Sequence, residues 1–433
     1  MPRKQSRPPS VNFNGARSRH SDAPENRTDR FQRYLRSQLT PAEAAASHAV
    51  EPLAHLSYDR ELALKNESLR ELWSHYNLAG VPDPVVPSPR PRGYRTTTRR
   101  RAHYHAGRLQ LGFDNAFEDG FNKKPTSSSA MPQSLLEPEA HANIYHFLAE
   151  ELSAPTCRAV AEHLNFAIIR GSYEAFSVIL NLDMLNGDIV RKLKGLGQRL
   201  QALLPHRILS AFLFCDPSRS DFYFEREAPP VPVRLKRLFG PARFPLRLGG
   251  QRYALPPTSF TQVNESMIEP MLGALRSLLK PEAGGRLLDL YCGYGLFAHQ
   301  LADTCAEVIG VDVDRDAIDA AIDHLRHDPP RGRVTFSCRD ISAATLEACL
   351  PAPGNREVII LDPPKRGTGP DVIDCLASRR PLRVVHVFCG VEVIPEAVAE
   401  WKQHGYGVTS CLPLDMFAGT PNLEALLLFE PVG

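Results

Sequence analysis

The 433-residue sequence lacks the cysteine patterns of metal centres and the long apolar runs of membrane proteins. Its nine cysteines include no Cys-x-x-Cys pair and no set with the spacing of zinc or iron–sulfur ligands. We therefore expect free thiols in a reducing compartment, with no metal and no iron–sulfur cluster. No apolar run is long enough to cross a bilayer, and the first residues, MPRK, lack the apolar core of a signal peptide. These absences favour a cytoplasmic protein that does not bind membranes.

A strong excess of charge of either sign is also missing, since 51 Lys and Arg residues stand against 49 Asp and Glu residues. Total charge therefore does not by itself indicate a nucleic-acid partner. Basic residues are nevertheless concentrated in the first forty positions, between Arg90 and Arg108, and between Arg234 and Arg247. Such runs can contact phosphates, although a solvated disordered tail explains the first of them equally well.

The composition changes along the chain and predicts three regions. Residues 1–55 are rich in Arg, Ser, Pro and Asn, which predicts a disordered basic tail with a short helix near 29–38. Leucines at helical spacing predict a helix over 57–77, and strand-like and helical segments alternate up to about residue 228. We expect a central α/β domain at 56–250, and a second α/β domain at 251–433.

Strands and helices alternate most regularly in the last region, residues 251–433. Short apolar strands such as RLLDLY, EVIGVDV, EVIILD and RVVHVFC alternate with helical segments such as RDAIDAAIDHLRH. Strands and helices of these lengths predict a doubly wound, mostly parallel sheet. In such sheets, ligands bind at the carboxyl ends of the strands, so the residues that end each strand are candidate site residues.

A glycine turn follows the first of these strands. In Asp289-Leu290-Tyr291-Cys292-Gly293-Tyr294-Gly295, the glycines allow close backbone approach to a ligand. Asp312 ends the next strand about twenty residues later, a spacing at which a carboxylate can bind a ribose diol. The pattern also fits a dinucleotide site. Asp289 before the glycines favours S-adenosylmethionine instead, because a carboxylate there can attract its sulfonium or amino group.

Two further strand ends carry candidate residues. Asp362 begins the turn Asp-Pro-Pro-Lys after the fourth strand, which is either a rigid turn or part of the ligand crevice. Cys389 ends the fifth strand and is the best placed of the nine cysteines for covalent chemistry. A thiolate that adds to C6 of a pyrimidine makes C5 nucleophilic, and the C5 proton must then leave to a general base. Glu424, just before the last apolar strand, is the candidate base.

With these residues in view, the chain resembles the RNA uracil-C5 methyltransferase family. The resemblance covers roughly residues 56–433 and is densest from 238 onward. It implies a class I methyltransferase domain with a Rossmann-like sheet, preceded by a smaller RNA-binding α/β domain. It also implies methyl transfer from S-adenosylmethionine to C5 of a uridine in tRNA or rRNA, in a protein expected to be a monomer. The segments that carry the resemblance are Ser88-Pro89, Tyr94-Arg95, Ser259–Asn264, Leu288–Gly295, Asp312, Asp362–Pro364, Cys389 and Asp415–Glu424.

The resemblance assigns roles to particular residues. Cys389 is implied as the nucleophile and Glu424 as the proton acceptor, while Gln262, Tyr291, Asp312 and Asp362 are implied as cofactor contacts. Asp289 and Gly293 complete the predicted cofactor pocket. Several positions depart from the family pattern: Gly390 and Val391 replace Asn-Pro, Leu296 replaces Asn, and Asn422 replaces His. A methyltransferase for cytosine C5 or an exocyclic nitrogen, and a diverged non-catalytic RNA-binding protein, are the alternatives.

Overall fold

A computed structural model of the protein describes residues 30–113, 134–219, 234–354, 356–365 and 367–432. Three helices open the described chain: α1 (Arg30–Ser37), α2 (Pro41–Ala46) and α3 (Tyr58–His75). The helices predicted near 29–38 and over 57–77 are confirmed as α1 and α3. Within the described chain, no helix is both long and apolar enough to span a bilayer.

The prediction that residues 1–55 form a disordered tail is wrong for residues 30–55, and residues 1–29 lie outside the described part of the chain. Phe31 and Leu35, one helical turn apart on α1, are fully buried, and Leu53 is almost fully buried. All three pack into the apolar cluster of the C-terminal sheet. A few large apolar side chains suffice to fix this segment because the surface that receives them comes from a distant part of the chain.

A central six-stranded sheet follows. Its elements are β1 (Thr98–His105), β2 (Arg108–Gly112), α4 (Glu139–Leu152), α5 (Arg158–His163), β3 (Leu164–Gly171), β4 (Phe176–Leu182), α6 (Gly187–Leu203), β5 (Ile208–Cys215) and β6 (Arg234–Phe239). The strand order is β2-β1-β3-β4-β5-β6, in which only β4 and β5 pair in parallel. The predicted alternation of strand-like and helical segments in this region is therefore confirmed, for example by β4, α6 and β5.

The C-terminal region starts with the hairpin β7 (Phe244–Leu248) and β8 (Gln251–Leu255) and with α7 (Ile268–Leu279). The remaining elements are β9 (Arg286–Leu290), α8 (Leu296–Leu301), β10 (Glu307–Asp312), α9 (Arg315–His327), β11 (Arg333–Cys338), α10 (Ala343–Cys349), β12 (Glu357–Leu361), α11 (Val372–Ser378), β13 (Arg383–Phe388), α12 (Ile394–Gln403), β14 (Tyr406–Leu414) and β15 (Glu424–Pro431).

Seven of these strands form one sheet in the order β11-β10-β9-β12-β13-β15-β14. The first five strands in this order are parallel, while β15 is antiparallel to both neighbours. Helices cover both faces, and an apolar cluster lies on each side of the sheet. The predicted doubly wound, mostly parallel sheet is thus confirmed. Helix α10 was not predicted.

The packing of the N-terminal helices changes the predicted division at residue 56. Leu64, Leu69, Leu72 and Trp73 of α3 belong to the same buried cluster as the C-terminal sheet. The loop after α3 also joins that sheet, because Val86 forms a bridge with Leu414. Residues 56–97 therefore pack with the C-terminal region, and the central sheet itself spans residues 98–239.

Candidate active site

The carboxyl ends of four adjacent strands bring the predicted site residues to one rim of the C-terminal sheet. Asp289 lies near the end of β9, and Asp312 ends β10 beside it. Asp362 follows β12, and its backbone N–H donates to the carbonyl of Leu290 at 3.2 Å. Cys389 follows β13, the next strand along the sheet. Because parallel strands end at the same edge, residues up to a hundred positions apart share one crevice.

The glycine turn between β9 and α8 has the conformation that its sequence requires. Gly293 and Gly295 have φ values of +53° and +77°, in the left-handed region that glycine adopts readily. Tyr291 also lies there, with φ +64°. A Cβ atom on Gly295 would lie 2.6 Å from Cζ of Phe336, whereas one on Gly293 would meet no heavy atom within 4 Å. The turn is therefore closely packed at Gly295 and open at Gly293.

Asp312 connects this turn to the next strand. Its Oδ2 atom accepts the backbone N–H of Gly293 at 2.8 Å, and its Oδ1 atom accepts that of Asp314 at 2.8 Å. Burial nevertheless raises the pKa of the Asp312 carboxyl above its ordinary value. The carboxyl group is thus fixed in place, and each of its oxygen atoms keeps a lone pair for a further donor.

Asp289 is fully buried behind the turn. Its Oδ2 atom accepts the backbone N–H of Ala298 at 2.9 Å, while Oδ1 is buried with no hydrogen-bond partner among the described residues. Burial, and then the neighbouring acids Asp362 and Asp312, raise the pKa of Asp289 to about 8. A buried oxygen without a donor suits a ligand that brings a cation or an N–H group.

Gln262 lies on the segment that leads from β8 into α7, and its side chain is half-buried. The segment is fixed on both sides of this residue. Arg170 from β3 donates to the carbonyl groups of Pro257 and Ser259, and Asn264 donates to the carbonyl of Met416 at 3.1 Å. The central sheet and the C-terminal loop therefore both hold the segment that carries Gln262.

Cys389 and Glu424 lie opposite each other on neighbouring strands. The antiparallel register of β13 and β15 pairs Phe388 with Ala425. Because the two strands run in opposite directions, Cys389, which follows Phe388, lies beside Glu424, which precedes Ala425. Glu424 is 2% exposed. Burial and the nearby Asp362 raise its pKa well above the ordinary value. The rim thus combines a thiol with a carboxyl group that can hold a proton at neutral pH.

The thiol itself is held in its protonated form. Burial, followed by the charges of Glu424 and Asp362, raises the pKa of Cys389 to about 12, while Lys365 lowers it. Burial and Asp312 raise the pKa of Asp362 to about 7. Activation of the thiol must therefore accompany the binding of a substrate that changes this environment.

Lys365, which was not predicted as a site residue, lies beside the nucleophile position. It ends the Asp-Pro-Pro-Lys turn and is exposed. A Cβ atom on Gly390 would lie 3.4 Å from its Cε atom, so glycine after Cys389 leaves room for the lysine side chain. The Asp-Pro-Pro-Lys motif could have indicated Lys365 as a site residue. Its proximity to Cys389, however, depends on how two loops pack.

The other residues that depart from the family pattern each pack against or bond to identified neighbours. Leu296 is buried in the apolar cluster behind the glycine turn, so it does not provide a polar contact. Val391 packs in the same cluster as Phe31 of α1. Asn422 accepts a hydrogen bond from Gln32 of α1 at 3.4 Å. Helix α1 therefore contacts both the loop after Cys389 and the loop before Glu424.

The basic stretch at 90–108 contributes less free charge than its sequence indicates. Arg92 donates to Glu61 at 3.0 Å, and Arg100 forms a bidentate pair with Glu137 at 2.7 Å. Arg90 lies over the ring of Tyr173 at 4.2 Å. These three arginines thus contact groups of the protein itself, and the contact of this stretch with phosphates stays a prediction. The exposed basic residues of the two stretches include Arg108, Lys236, Arg237 and Arg247.

No set of three or more candidate metal ligands is found in the part of the chain that the structure describes. All nine cysteines are free thiols. Of these, Cys292 is buried within the glycine turn, and burial raises its pKa well above the ordinary value. Cys389 remains the best placed cysteine for chemistry, because it combines partial exposure with a position opposite a buried carboxyl group.

A family model described as a methyltransferase domain matches residues 287–352. The 23S rRNA (uracil(1939)-C(5))-methyltransferase of Burkholderia pseudomallei is 30% identical over 225 residues, which cover 50% of this chain and 48% of that protein. An uncharacterized RNA methyltransferase of Thermosynechococcus vestitus is 33% identical over 183 residues, 42% of this chain and 39% of that protein. The matched region therefore spans about half the length of these curated relatives, or less.

Among solved structures, the tRNA (uracil-54, C5)-methyltransferase of Pyrococcus abyssi in complex with S-adenosyl-L-homocysteine is similar with a TM-score of 0.64. The similarity covers 89% of this chain and 86% of that chain at 20% identity, and it shows a shared fold. The chain is thus similar to curated RNA methyltransferases over half of its length or less, and its fold is similar to that of a solved tRNA methyltransferase.

Proposed function

We propose that the protein is an RNA methyltransferase that transfers a methyl group from S-adenosylmethionine to C5 of a uridine in tRNA or rRNA. The observation that carries this proposal is the position of Cys389 opposite Glu424, on the rim that also holds Asp289, Asp312 and Asp362. Covalent activation of a pyrimidine ring needs a nucleophile and a proton acceptor within reach of one base. The register of β13 and β15 supplies both groups.

The cofactor residues that we propose fit the chemistry of S-adenosylmethionine, which supplies an electrophilic methyl group on a cationic sulfonium. Asp312 binds the ribose hydroxyl groups, since its oxygen atoms are fixed by Gly293 and Asp314. The buried, unpartnered Oδ1 atom of Asp289 supports the methionine amino group. Gly293 allows close approach of the turn, and Gln262, Tyr291 and Asp362 complete the pocket.

In the proposed reaction, the Cys389 sulfur adds to C6 of the uridine as a thiolate, and C5 becomes a nucleophilic carbon. C5 then forms a bond to the methyl carbon while the bond from that carbon to the sulfonium sulfur breaks, so that S-adenosylhomocysteine leaves and C5 carries both the methyl group and its original proton. Glu424 takes the proton, the C5–C6 double bond re-forms, and the bond between C6 and sulfur breaks with its electron pair returning to Cys389. Glu424 must be ionised at this step: its raised pKa reduces the ionised fraction, but it makes the carboxylate a stronger base once it has lost its proton.

The same pair of residues argues against two of the alternatives. Methylation of an exocyclic nitrogen needs no nucleophile at C6, so Cys389 would have no role in it. A non-catalytic RNA-binding protein would need neither the thiol nor a buried acid, and a buried carboxyl group without a partner is costly to fold. Methylation of cytosine C5 uses similar covalent chemistry and is distinguished by the product nucleoside.

The central sheet is the proposed RNA-recognition domain. Its exposed basic residues, Arg108, Lys236 and Arg237, can contact phosphates at positions away from the reacting base. The target uridine must leave its stack to reach the rim of the C-terminal sheet. A location in the cytoplasm and a monomeric state remain predictions.

Nucleoside mass spectrometry tests the proposal. Unmodified tRNA and rRNA are incubated with the purified protein and methyl-labelled S-adenosylmethionine, then digested and separated. We expect labelled 5-methyluridine in one RNA class. Labelled 5-methylcytidine or an N-methylated nucleoside would mean that the enzyme methylates a different position. No label despite S-adenosylmethionine binding would support the non-catalytic alternative.

A further inference from the structure

The loop that ends at the proposed base is held by a distant part of the chain. Residues 415–423 connect β14 to β15, and the register of the two strands pairs Leu414 with Glu424. The loop therefore begins and ends beside Glu424. Polar groups of four residues in its first half, Asp415, Phe417, Ala418 and Gly419, are bound by residues from positions 53–94, which belong to the N-terminal helices and the loop after them.

Lys65 of α3 lies at the centre of these contacts. Its side chain is 0% exposed. Its Nζ atom donates to Oδ1 of Asp415 at 2.6 Å, to Oε1 of Glu61 at 2.7 Å and to the carbonyl of Phe417 at 3.4 Å. The hydroxyl group of Tyr58 donates to the other oxygen of Asp415 at 2.9 Å. Both oxygen atoms of Asp415, the first residue of the loop, are thus bound by α3.

Glu61 extends the same network to the middle of the loop. Its Oε1 atom accepts the backbone N–H of Gly419 at 2.5 Å, and its Oε2 atom accepts from Arg92 at 3.0 Å. Two further bonds complete the attachment. Tyr94 donates to the carbonyl of Ala418 at 2.9 Å, and the backbone N–H of Leu53 donates to the carbonyl of Gly419 at 3.0 Å.

A buried ion network of this kind is a poor way to gain stability, because desolvation of the charges offsets most of their attraction. The network does provide direction, since its carboxylate oxygens and ammonium group are bound to particular atoms at fixed positions. Apolar packing could fill the same volume but could not fix the backbone of residues 415–419 at named atoms. The network therefore suits a loop whose exact course affects the residue at its end.

We propose that Lys65 is a positioning residue for the reaction, which holds Glu424 at the distance needed to take the C5 proton by fixing the start of the 415–423 loop. The inference rests on the proposed function. Lys65 does not touch the substrate. It acts through Asp415 and Phe417, so its loss should slow proton removal more than the methyl-transfer step that comes before it.

A double-label experiment separates these two steps. Transcribed tRNA and 23S rRNA carrying tritium at C5 of uridine are methylated with carbon-14-labelled S-adenosylmethionine. In the wild-type protein, tritium release should equal methyl incorporation. In Lys65→Met, we expect tritium release to slow by about 10²-fold, the scale of a 1 Å misplacement of a catalytic group. Methylated RNA should then accumulate as a denaturation-resistant adduct with the protein.

Two variants control for a merely structural effect. Arg379→Met breaks another buried ion pair, with Glu357, at the opposite end of the same sheet, and it should keep tritium release equal to methyl incorporation. Lys65→Met combined with Asp415→Asn removes one charge of each sign from the network. The double variant should recover stability, as the uncompensated carboxylate is removed, yet still form the adduct. The double variant also allows the positioning role to be tested if Lys65→Met alone fails to fold.

The outcomes are distinct. If the wild-type protein methylates RNA and the Lys65 variants release tritium in step with methyl incorporation, the positioning role is overturned while the proposed function stands. Equal slowing of both labels in the Lys65 and Arg379 variants would likewise reduce Lys65 to a structural residue. If the wild-type protein forms neither product nor adduct, the proposed function fails, and the positioning role fails with it.

Discussion

Acids at the two ends of the C-terminal sheet differ in whether they form ion pairs. At the amino end, Glu357 accepts from Arg379 at 2.7 and 2.8 Å and from Arg286 at 3.2 Å. Arg286 also pairs with Glu307 at 2.7 Å. At the carboxyl end, Asp289, Asp312, Asp362 and Glu424 lie within one crevice, and none of them forms an ion pair within the described parts of the chain. Each has a raised pKa.

This contrast separates structural acids from functional ones. An acid that lies beside arginine links neighbouring strand ends through ion pairs. An acid that is buried without a cation is destabilising, and such groups cluster at functional sites because a ligand or a reaction supplies what the protein leaves out. The carboxyl end therefore suits the proposed binding of a cationic ligand and uptake of a proton, while Glu357 at the amino end is already paired with arginines.

The largest expected effect comes from removal of the nucleophile. Cys389→Ala should reduce methylation by at least about 10⁴-fold, since the covalent route to an activated C5 is lost. S-adenosylmethionine should still bind with unchanged affinity in calorimetry, because the proposed pocket lies at the ends of β9, β10 and β12. Cys292→Ala, which changes the buried thiol in the glycine turn, is the control and should retain methylation. Normal turnover by Cys389→Ala would contradict the covalent mechanism.

The second effect distinguishes the two acids on β15. Glu424→Gln should slow turnover by about 10²–10⁴-fold, the range for loss of a general base, and should trap a covalent protein–RNA complex on denaturing gels. Glu430→Gln removes an acid at the other end of the same strand, where it pairs with Arg383 at 2.9 Å, and should leave turnover unchanged. A Glu424 variant with reduced activity but no trapped complex would argue for another base.

The strand ends of this site could be predicted from the sequence because topology alone determines them. Short apolar strands alternating with helices give a parallel sheet, and a parallel sheet brings Asp312, Asp362 and Cys389 to one edge whatever the details of packing. Helix α10 could not be predicted in the same way. It has seven residues, and Leu346 is its only fully buried side chain, so it shows too little periodicity to be distinguished from a loop.

The contacts of the N-terminal helices were beyond sequence reasoning for a different reason. Lys65 and Asp415 are 350 positions apart, and a lysine on an amphipathic helix is normally solvent-exposed. Phe31 and Leu35 indicate a short helix, but not the surface on which it packs. Such pairings depend on tertiary contacts between regions with no common local pattern, and only the folded chain reveals them.

The third prediction uses pH to test the unpaired acids. The folded protein holds a proton on Asp289 up to about pH 8, whereas the unfolded chain releases it near pH 4. The free energy of unfolding should therefore fall as pH rises through this window, by about 1 kcal/mol per pH unit for this group. Asp289→Asn should flatten the slope in urea unfolding of the ligand-free protein.

The control for this prediction is Asp319→Asn on the exposed side of α9, which should leave the slope as in the wild type. Saturating S-adenosylmethionine should also flatten the slope, because a cationic ligand favours the ionised acid. Parallel stability profiles for the wild type and Asp289→Asn would mean that Asp289 is ionised in the folded protein, and the contrast between the two ends of the sheet would then weaken.

The smallest expected effect compares two glycines within the cofactor turn itself. Both have positive φ, so alanine at either position costs about 1 kcal/mol in backbone strain. Gly295→Ala should cost about 1–2 kcal/mol more in urea unfolding, because the new methyl group meets the Phe336 ring. Gly293→Ala meets nothing in the ligand-free protein, so its further effect should fall on S-adenosylmethionine affinity. If the two alanine variants were destabilised equally, the turn would be packed alike at both glycines. If they also lost S-adenosylmethionine affinity equally, the space beside Gly293 would not be the place where the cofactor binds.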